Sequence, residues 1–308
     1  RHKRQLEYHM ENLTGGTPLV RYLPCVVPCK LYFTCQKITE HISRIRSTPD
    51  VCMYLVEGSE RAALLDTGNG VGDLKGYVEG LLGGKPYDVI LTHGHVDHAS
   101  GAEQFGDNVY LNPLDYELSL THCSVEHRKN SFAHWREMFP GTMPEFADED
   151  FIPVRTRSYL PLADGQRFSL GDVTLEAIHV PGHTQGMTMI LIEEERVILF
   201  GDGCGVGVLL LADETSTVSE YLASLKRLKT QEARYDVVLR QHGSCESPCT
   251  VLDDNIEVCE KILNGTADAV PDTFEGMPCL LAMAVDPKTR KRLDGKEGNI
   301  RYMPEKIR

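Results

Sequence analysis

Between Ile90 and Gly101 the chain reads ILTHGHVDHASG, and four residues that can donate lone pairs to a cation fall within six positions: His93, His95, Asp97 and His98. The whole chain of 308 residues holds only 12 histidines, so three in one loop is a concentration that chance rarely gives. Neutral imidazole and carboxylate are the donors that a borderline divalent ion such as zinc takes. Alternate residues of an extended loop point the same way, so His93 and His95 can share one ion while Asp97 and His98 face another position. One ion cannot easily take all four donors from so short a segment. The spacing therefore points to two.

Three further segments end in the same manner. His183 lies in HVPGHTQG, Asp202 in VILFGDG and His242 in VVLRQHGS, each at or just after an apolar run with glycine close by. Taken singly, a turn histidine is usually a surface residue and a strand-end aspartate usually a cap. Beside the first cluster they become candidates to complete the shells, because ligands belong on loops held by rigid strands.

The set THGHVDH, PGHTQG, FGDG and QHG, with LLDTG at 64–68, resembles the metallo-β-lactamase-fold hydrolases. Within them it is most similar to the branch of hydroxyacylglutathione hydrolases, lactonases and uncharacterised bacterial hydrolases, and the likeness covers residues 41–245. The resemblance implies an α/β fold, a four-layer αββα sandwich (the metallo-β-lactamase fold) with a helical insert. It implies that His93, His95 and His183 hold a first metal, that Asp97, His98 and His242 hold a second, and that Asp202 bridges both. Asp66 would be buried and hydrogen-bonded to the ligand loop without being a ligand. The pattern departs from class B β-lactamases, where one loop ligand is often cysteine and the bridging aspartate is absent. Cys204, two residues after Asp202, is accordingly not an expected ligand.

Two divalent ions, zinc with iron or manganese as alternatives, would share a water and lower its pKa so that hydroxide attacks a carbonyl or phosphorus. Asp97 and Asp202 would be the catalytic carboxylates, fixing that water and accepting its proton. The expected activity is a metallo-hydrolase cleaving an ester-like bond, a thioester, a lactone or a related small molecule. An iron-dependent redox enzyme of the same fold, persulfide-dioxygenase-like, and a phosphodiesterase are the rival readings. Tyr116 is a candidate for holding a lactone carbonyl, and Trp135, the single tryptophan, could clasp an acyl group or pack on the core.

The pattern around these residues supplies the positioning elements. VCMYLVEG (51–58) and AALLDTG (62–68) read as a hairpin, VGDLKGYVEGLLGG (71–84) as a helix stopped by glycine, and YDVILT (87–92) as a buried strand that delivers the histidine cluster. A helix is expected to start at HASGAEQF and a strand at 108–112. Strands follow at 167–180, 186–195 and 196–202, a helix near 216–229, a strand at 235–243 and a helix near 250–264. These divide the chain into an N-terminal arm (1–40), a main domain (41–265) with a polar helical insert at about 113–158, and a C-terminal extension (266–308) packed on the same domain. The basic stretch KTRKRLDGK (288–296) reads as a solvated turn.

The formal net charge is −13, from 45 acids against 32 bases, which argues against nucleic acid as the main partner. No run of 18 apolar residues and no signal-like opening occur, so neither a membrane span nor a secretory signal is expected. Ten cysteines are scattered along the chain, unlike a small disulfide scaffold. They read as reduced thiols of a cytoplasmic protein, although the C-x-x-x-C pairs at 25–29 and 245–249 could hold a structural zinc. A small-molecule substrate is the expected partner, with a homodimer left open.

Overall fold

The structure, a computed structural model, describes residues 32–47, 51–138, 140–141 and 143–308. Its first half builds a seven-stranded sheet in chain order. Strands Phe33–Lys37 (β1), Ile42–Ser47 (β2), Val51–Glu57 (β3) and Ala62–Leu65 (β4) pair antiparallel. Tyr87–Ile90 (β5), Val109–Leu111 (β6) and Leu160–Pro161 (β7) then add in parallel. β3 is an unbroken apolar run because it is buried on both faces.

The second sheet is six-stranded: Arg167–Ser169 (β8), Thr174–His179 (β9), Thr188–Ile192 (β10), Val197–Leu199 (β11), Val237–Leu239 (β13) and Glu246–Ser247 (β14). The strand between β11 and β13, Val208–Leu210 (β12), leaves this sheet. It pairs in parallel with Ile300–Tyr302 (β17), which continues through Met277–Leu281 (β16) to Val270–Phe274 (β15).

Apolar side chains of the two large sheets meet face to face. Tyr54, Val56, Leu65 and Ile90 from the first pack against Leu175, Ala177, Ile190 and Leu199 from the second. The outer face of the first sheet carries helices Leu74–Leu82 (α1) and Val96–Ala99 (α2), through Leu74, Val78 and Ala99. The outer face of the second carries Val218–Lys229 (α5) and Val251–Asn264 (α6), through Tyr221, Leu225, Val258 and Ile262. Ala282, Ile300 and Tyr302 of the C-terminal segment join that last cluster. The result is the four-layer αββα sandwich of the metallo-β-lactamase fold.

Local chemistry explains the helix limits. Asp73 accepts a hydrogen bond from the Gly76 N–H at 2.8 Å to open α1, and Gly83 in the left-handed region (φ 59°) closes it. Thr217 and Glu220 cap the start of α5 reciprocally. The helix expected at HASGAEQF is instead split into α2 and a single 3₁₀ turn, Ala102–Gln104. At the break the His98 carbonyl accepts from the Thr67 N–H (2.7 Å) and hydroxyl (3.0 Å), and Gly101 lies so close that a Cβ there would be 2.4 Å from the Thr67 carbonyl oxygen.

Helices Tyr116–His122 (α3) and Val125–Met138 (α4) occupy the first part of the insert. Behind them Phe132, Met143, Phe151 and Val71 make a small core of their own. Arg128 is fully buried and donates to the carbonyls of Cys123 (3.1 Å), Gly70 (2.8 Å) and Ile152, stapling the insert to the loop after β4. Trp135 is 36% exposed. Arg292 overturns part of the solvated-turn reading of 288–296: it is buried, paired with Asp294 and bonded to the Gly298 carbonyl.

The first C-x-x-x-C pair lies outside the described residues. The second diverges, with Cys245 in the core between the sheets, its Sγ 2.9 Å from that of Cys52, and Cys249 against the outer helical cluster. Among the described residues no helix is long and apolar enough to cross a membrane.

Ion pairs tie the two sheets at their rim: Arg44 meets Glu246 at 2.9 Å, and His41 Nδ1 lies 2.6 Å from Glu195 Oε1 with Asp172 at 3.5 Å from its Nε2. The bond to Glu195 holds the His41 pKa above its ordinary value. A histidine raised in the folded state stabilises fully below the unfolded value of about 6.5, and the contribution disappears as pH rises through the raised value. His41→Ala is therefore expected to lower the unfolding free energy by on the order of 1 kcal/mol at pH 5.5 and to leave it unchanged at pH 9. Urea titrations at the two pH values check this; an equal loss at both would contradict it.

Candidate metal centre

Four strand ends converge at one edge of the sandwich. β5 runs into Thr92–His98, β9 and β10 are joined by the loop bearing His183, β11 ends just before Asp202, and β13 ends just before His242. Two carboxylates outside the donor set hold these loops in place. Asp115 is buried and accepts from the Gly94 N–H (2.9 Å), the Gly186 N–H (2.7 Å) and the Thr184 hydroxyl (2.7 Å), tying the first histidine loop to the second. Both glycines are needed: a Cβ at Gly94 would lie 2.8 Å from the Asp115 carbonyl oxygen, and one at Gly186 would lie 2.6 Å from its Cγ.

Asp66 is the other. It sits fully buried with φ at +67°, a backbone state that aspartate tolerates better than most residues. It accepts from the Thr92 N–H (2.6 Å), the Thr92 hydroxyl (2.7 Å), Gln241 Nε2 (2.6 Å) and His98 Nδ1 (2.9 Å).

The seven candidate donors fall into two groups: His93, His95 and His183 in one, and Asp97, His98, Asp202 and His242 in the other. Within each group one donor atom per residue lies within 4.8 Å of all the others. Asp202 Oδ2 stands between them, 3.7 Å from His183 Nε2 and 3.4 Å from both His98 Nε2 and His242 Nε2.

Outer hydrogen bonds decide which ring nitrogen carries the proton, and each leaves a lone pair facing inward. The Thr92 hydroxyl gives its hydrogen to Asp66, so it must accept from His93 Nδ1 at 3.0 Å. That leaves His93 Nε2 as the lone-pair nitrogen, buried and without a hydrogen-bond partner among the described residues. His183 Nδ1 faces the Leu209 carbonyl at 3.1 Å, which only accepts, so its Nε2 lone pair points inward. His95 Nε2 faces Glu214 Oε1 at 3.3 Å, so its Nδ1 lone pair, 2.9 Å from His183 Nε2, does the same. His98 Nδ1 donates to Asp66, and its Nε2 looks toward Asp97 and Asp202, each at 3.4 Å. An orphaned imidazole nitrogen amid lone pairs and two carboxylates fits a pair of divalent cations.

The electrostatics differ between the groups. Burial pushes His93 well below its ordinary value, and burial with the neighbouring His183 lowers His95 to about 4, so both are neutral donors. In the second group burial opposes charge, but the carboxylates of Asp97 and Asp202 overcome it and raise His98 and His242. The same pairing holds Asp97 and Asp202 well below the carboxylate range. Glu214 is drawn down to about 2, chiefly by its bond to His95.

Sequence reasoning missed Asp115, Gln241, Glu214 and His122. His122 stacks on His95 with ring centroids 4.8 Å apart and comes within 3.8 Å of Glu214. Asp115 and Glu214 look like ordinary loop acids in the sequence, and only tertiary contacts mark them. Tyr116 does not join the donor groups. Its ring packs on Tyr159 at 5.4 Å, within the helical layer outside the first sheet. Cys204 is fully buried among the outer helices, beside Asn255 and the Val251 carbonyl.

A four-layer sandwich with a histidine-rich donor set at the end of both sheets defines a class: metallo-β-lactamase-type proteins, which use divalent metals. The sequence profile of the Metallo-beta-lactamase superfamily matches residues 50–242, and the chain belongs to that superfamily. It is similar to acyl-coenzyme A thioesterase MBLAC2 of Gallus gallus, 29% identical over 184 residues, 57% of this chain and 65% of that one. It is also similar to an atrochrysone carboxyl ACP thioesterase of Aspergillus fumigatus, 23% identical over 222 residues, 69% of this chain and 42% of that one. The chain thus spans less than two thirds of the length of these relatives. Among solved structures, the metallo-beta-lactamase from Pontibacter korlensis shares the fold, with a TM-score of 0.53 at 16% identity over 74% of this chain and 99% of that one.

Proposed function

We propose that the protein is a metal-dependent thioesterase that hydrolyses acyl thioesters of a carrier such as coenzyme A. The observation that carries the reading is the convergence of seven donors into two groups with Asp202 between them. Thioesters are favoured over lactones and phosphodiesters because the relatives above are named thioesterases.

His93 Nε2, His95 Nδ1 and His183 Nε2 would hold one ion, zinc being the ion that suits this donor set. Asp97, His98 Nε2 and His242 Nε2 would hold the other, with Asp202 Oδ2 serving both. When bound, the ions supply Lewis-acid polarisation of the carbonyl and lower the pKa of water. The chain's own groups do the rest. Asp66 accepts from His98 Nδ1 and so keeps its Nε2 free to donate a lone pair. Asp97 Oδ2, 3.1 Å from His242 Nε2 and partly open to solvent, is placed to accept the proton that the attacking water loses. No serine or cysteine nucleophile is required.

Zinc- or manganese-loaded protein should be presented with acyl-coenzyme A, a lactone, a phosphodiester and a β-lactam. The expected result is thiol release from the thioester at a kcat/KM at least about tenfold above the others, a gap of roughly 1.4 kcal/mol in transition-state binding. A preference for the lactone or the phosphodiester overturns the substrate assignment. Full thioesterase activity after complete removal of metal overturns the mechanism.

A further inference from the structure

Two of the three histidines of the first group take their outer hydrogen bonds from one short segment. β12 supplies the Leu209 carbonyl to His183 Nδ1 at 3.1 Å, and the loop after it supplies Glu214 Oε1 to His95 Nε2 at 3.3 Å. Neither contact belongs to the second large sheet, because β12 has left it to pair with β17. The loop is pinned from the same side. Lys306 Nζ donates to the Thr215 carbonyl (2.8 Å) and hydroxyl (3.0 Å), flanking Glu214 on its C-terminal side. The backbone of the C-terminal segment adds the Met303 N–H bond to the Leu210 carbonyl at 3.3 Å.

We propose that Glu214 is a positioning residue that fixes His95 in its Nε2–H tautomer, and that the C-terminal strand β17 with Lys306 holds the segment from which this control is exerted. A carboxylate behind a ligating imidazole sets ring orientation and raises donor strength, and its loss typically weakens metal binding 10–100-fold. Glu214 reaches the first group through His95 alone. It is three-quarters buried at the side chain, and removing it empties no core position. The inference rests on the reading that His93, His95 and His183 hold an ion.

The test is zinc alone, titrated into metal-free full-length protein against a chelator of known affinity, together with ¹⁵N–¹H correlation of the imidazole nitrogens. Glu214→Ala should weaken the binding step that His93→Ala removes by about 10–100-fold. His95 should shift from a single Nε2–H tautomer to a mixture in the metal-free protein. Glu214→Gln, whose amide oxygen still accepts, should recover most of the tautomer and part of the affinity. Lys306→Met should give a smaller loss in the same step with an unchanged thermal transition. If Glu214→Ala leaves both tautomer and affinity as in the wild type while His93→Ala abolishes the step, the inference falls and the metal reading stands. If His93→Ala changes nothing, both fall together.

Discussion

Asp97→Ala is expected to abolish hydrolysis and to remove one equivalent of metal in the same variant. The fall in kcat/KM should be roughly 10²–10³-fold, the scale on which a single electrostatic stabiliser acts when it is lost from an active site. The geometry gives the reason. Asp97 Oδ2 is within 3.1 Å of His242 Nε2 and 3.4 Å of His98 Nε2, so it belongs to the donor group and neutralises it. Without it the two imidazoles raised by carboxylates face each other with only Asp202, and Asp66 behind His98, left as counter-charges. His95→Ala should lose activity equally but should empty the other group. Metal stoichiometry by mass spectrometry on both variants, alongside kinetics, checks the assignment. Full activity in either variant would refute the site.

The other large effect is expected from Asp66→Ala, which removes no donor. Four hydrogen-bond donors, from Thr92, Gln241 and His98, would be left buried and unpaired, at about 1–3 kcal/mol each before relaxation. The turn at φ +67° would also be filled by a residue less suited to it. Together the loss should be on the order of 3–5 kcal/mol, like other broken buried charge networks. Asp66→Asn keeps the turn and one acceptor, and should lose about half as much. Urea denaturation of the metal-free protein measures this directly. A change below about 1 kcal/mol in Asp66→Ala would mean that the network does not support the loop.

The donors were legible because their chemistry restricts residue type. Only a few side chains bind a divalent ion, and THGHVDH puts four of them in one loop. The strands that present them were legible from unbroken apolar runs such as VCMYLV and YDVILT. What escaped is whatever depends on distant chain. Nothing local distinguishes Glu214 in ADETS from any solvated acid, or Asp115 in NPLDY from an ordinary turn residue. β12 escaped for the same reason, since its parallel partner lies about 90 residues away. The interruption after α2 was hidden too, because it lies where Thr67, 31 residues earlier, takes the His98 carbonyl.

The parallel pairing of β12 with β17 also sets an order in time. At roughly 5–20 residues per second of synthesis, β17 follows β12 by some 5–20 seconds. Until then β12 has no partner strand, and Glu214 rests on a loop that Lys306 has not yet fastened. The third sheet, and with it the hydrogen bonds that β12 and the loop after it make to His183 and His95, therefore closes only after the strand Ile300–Tyr302 has been made.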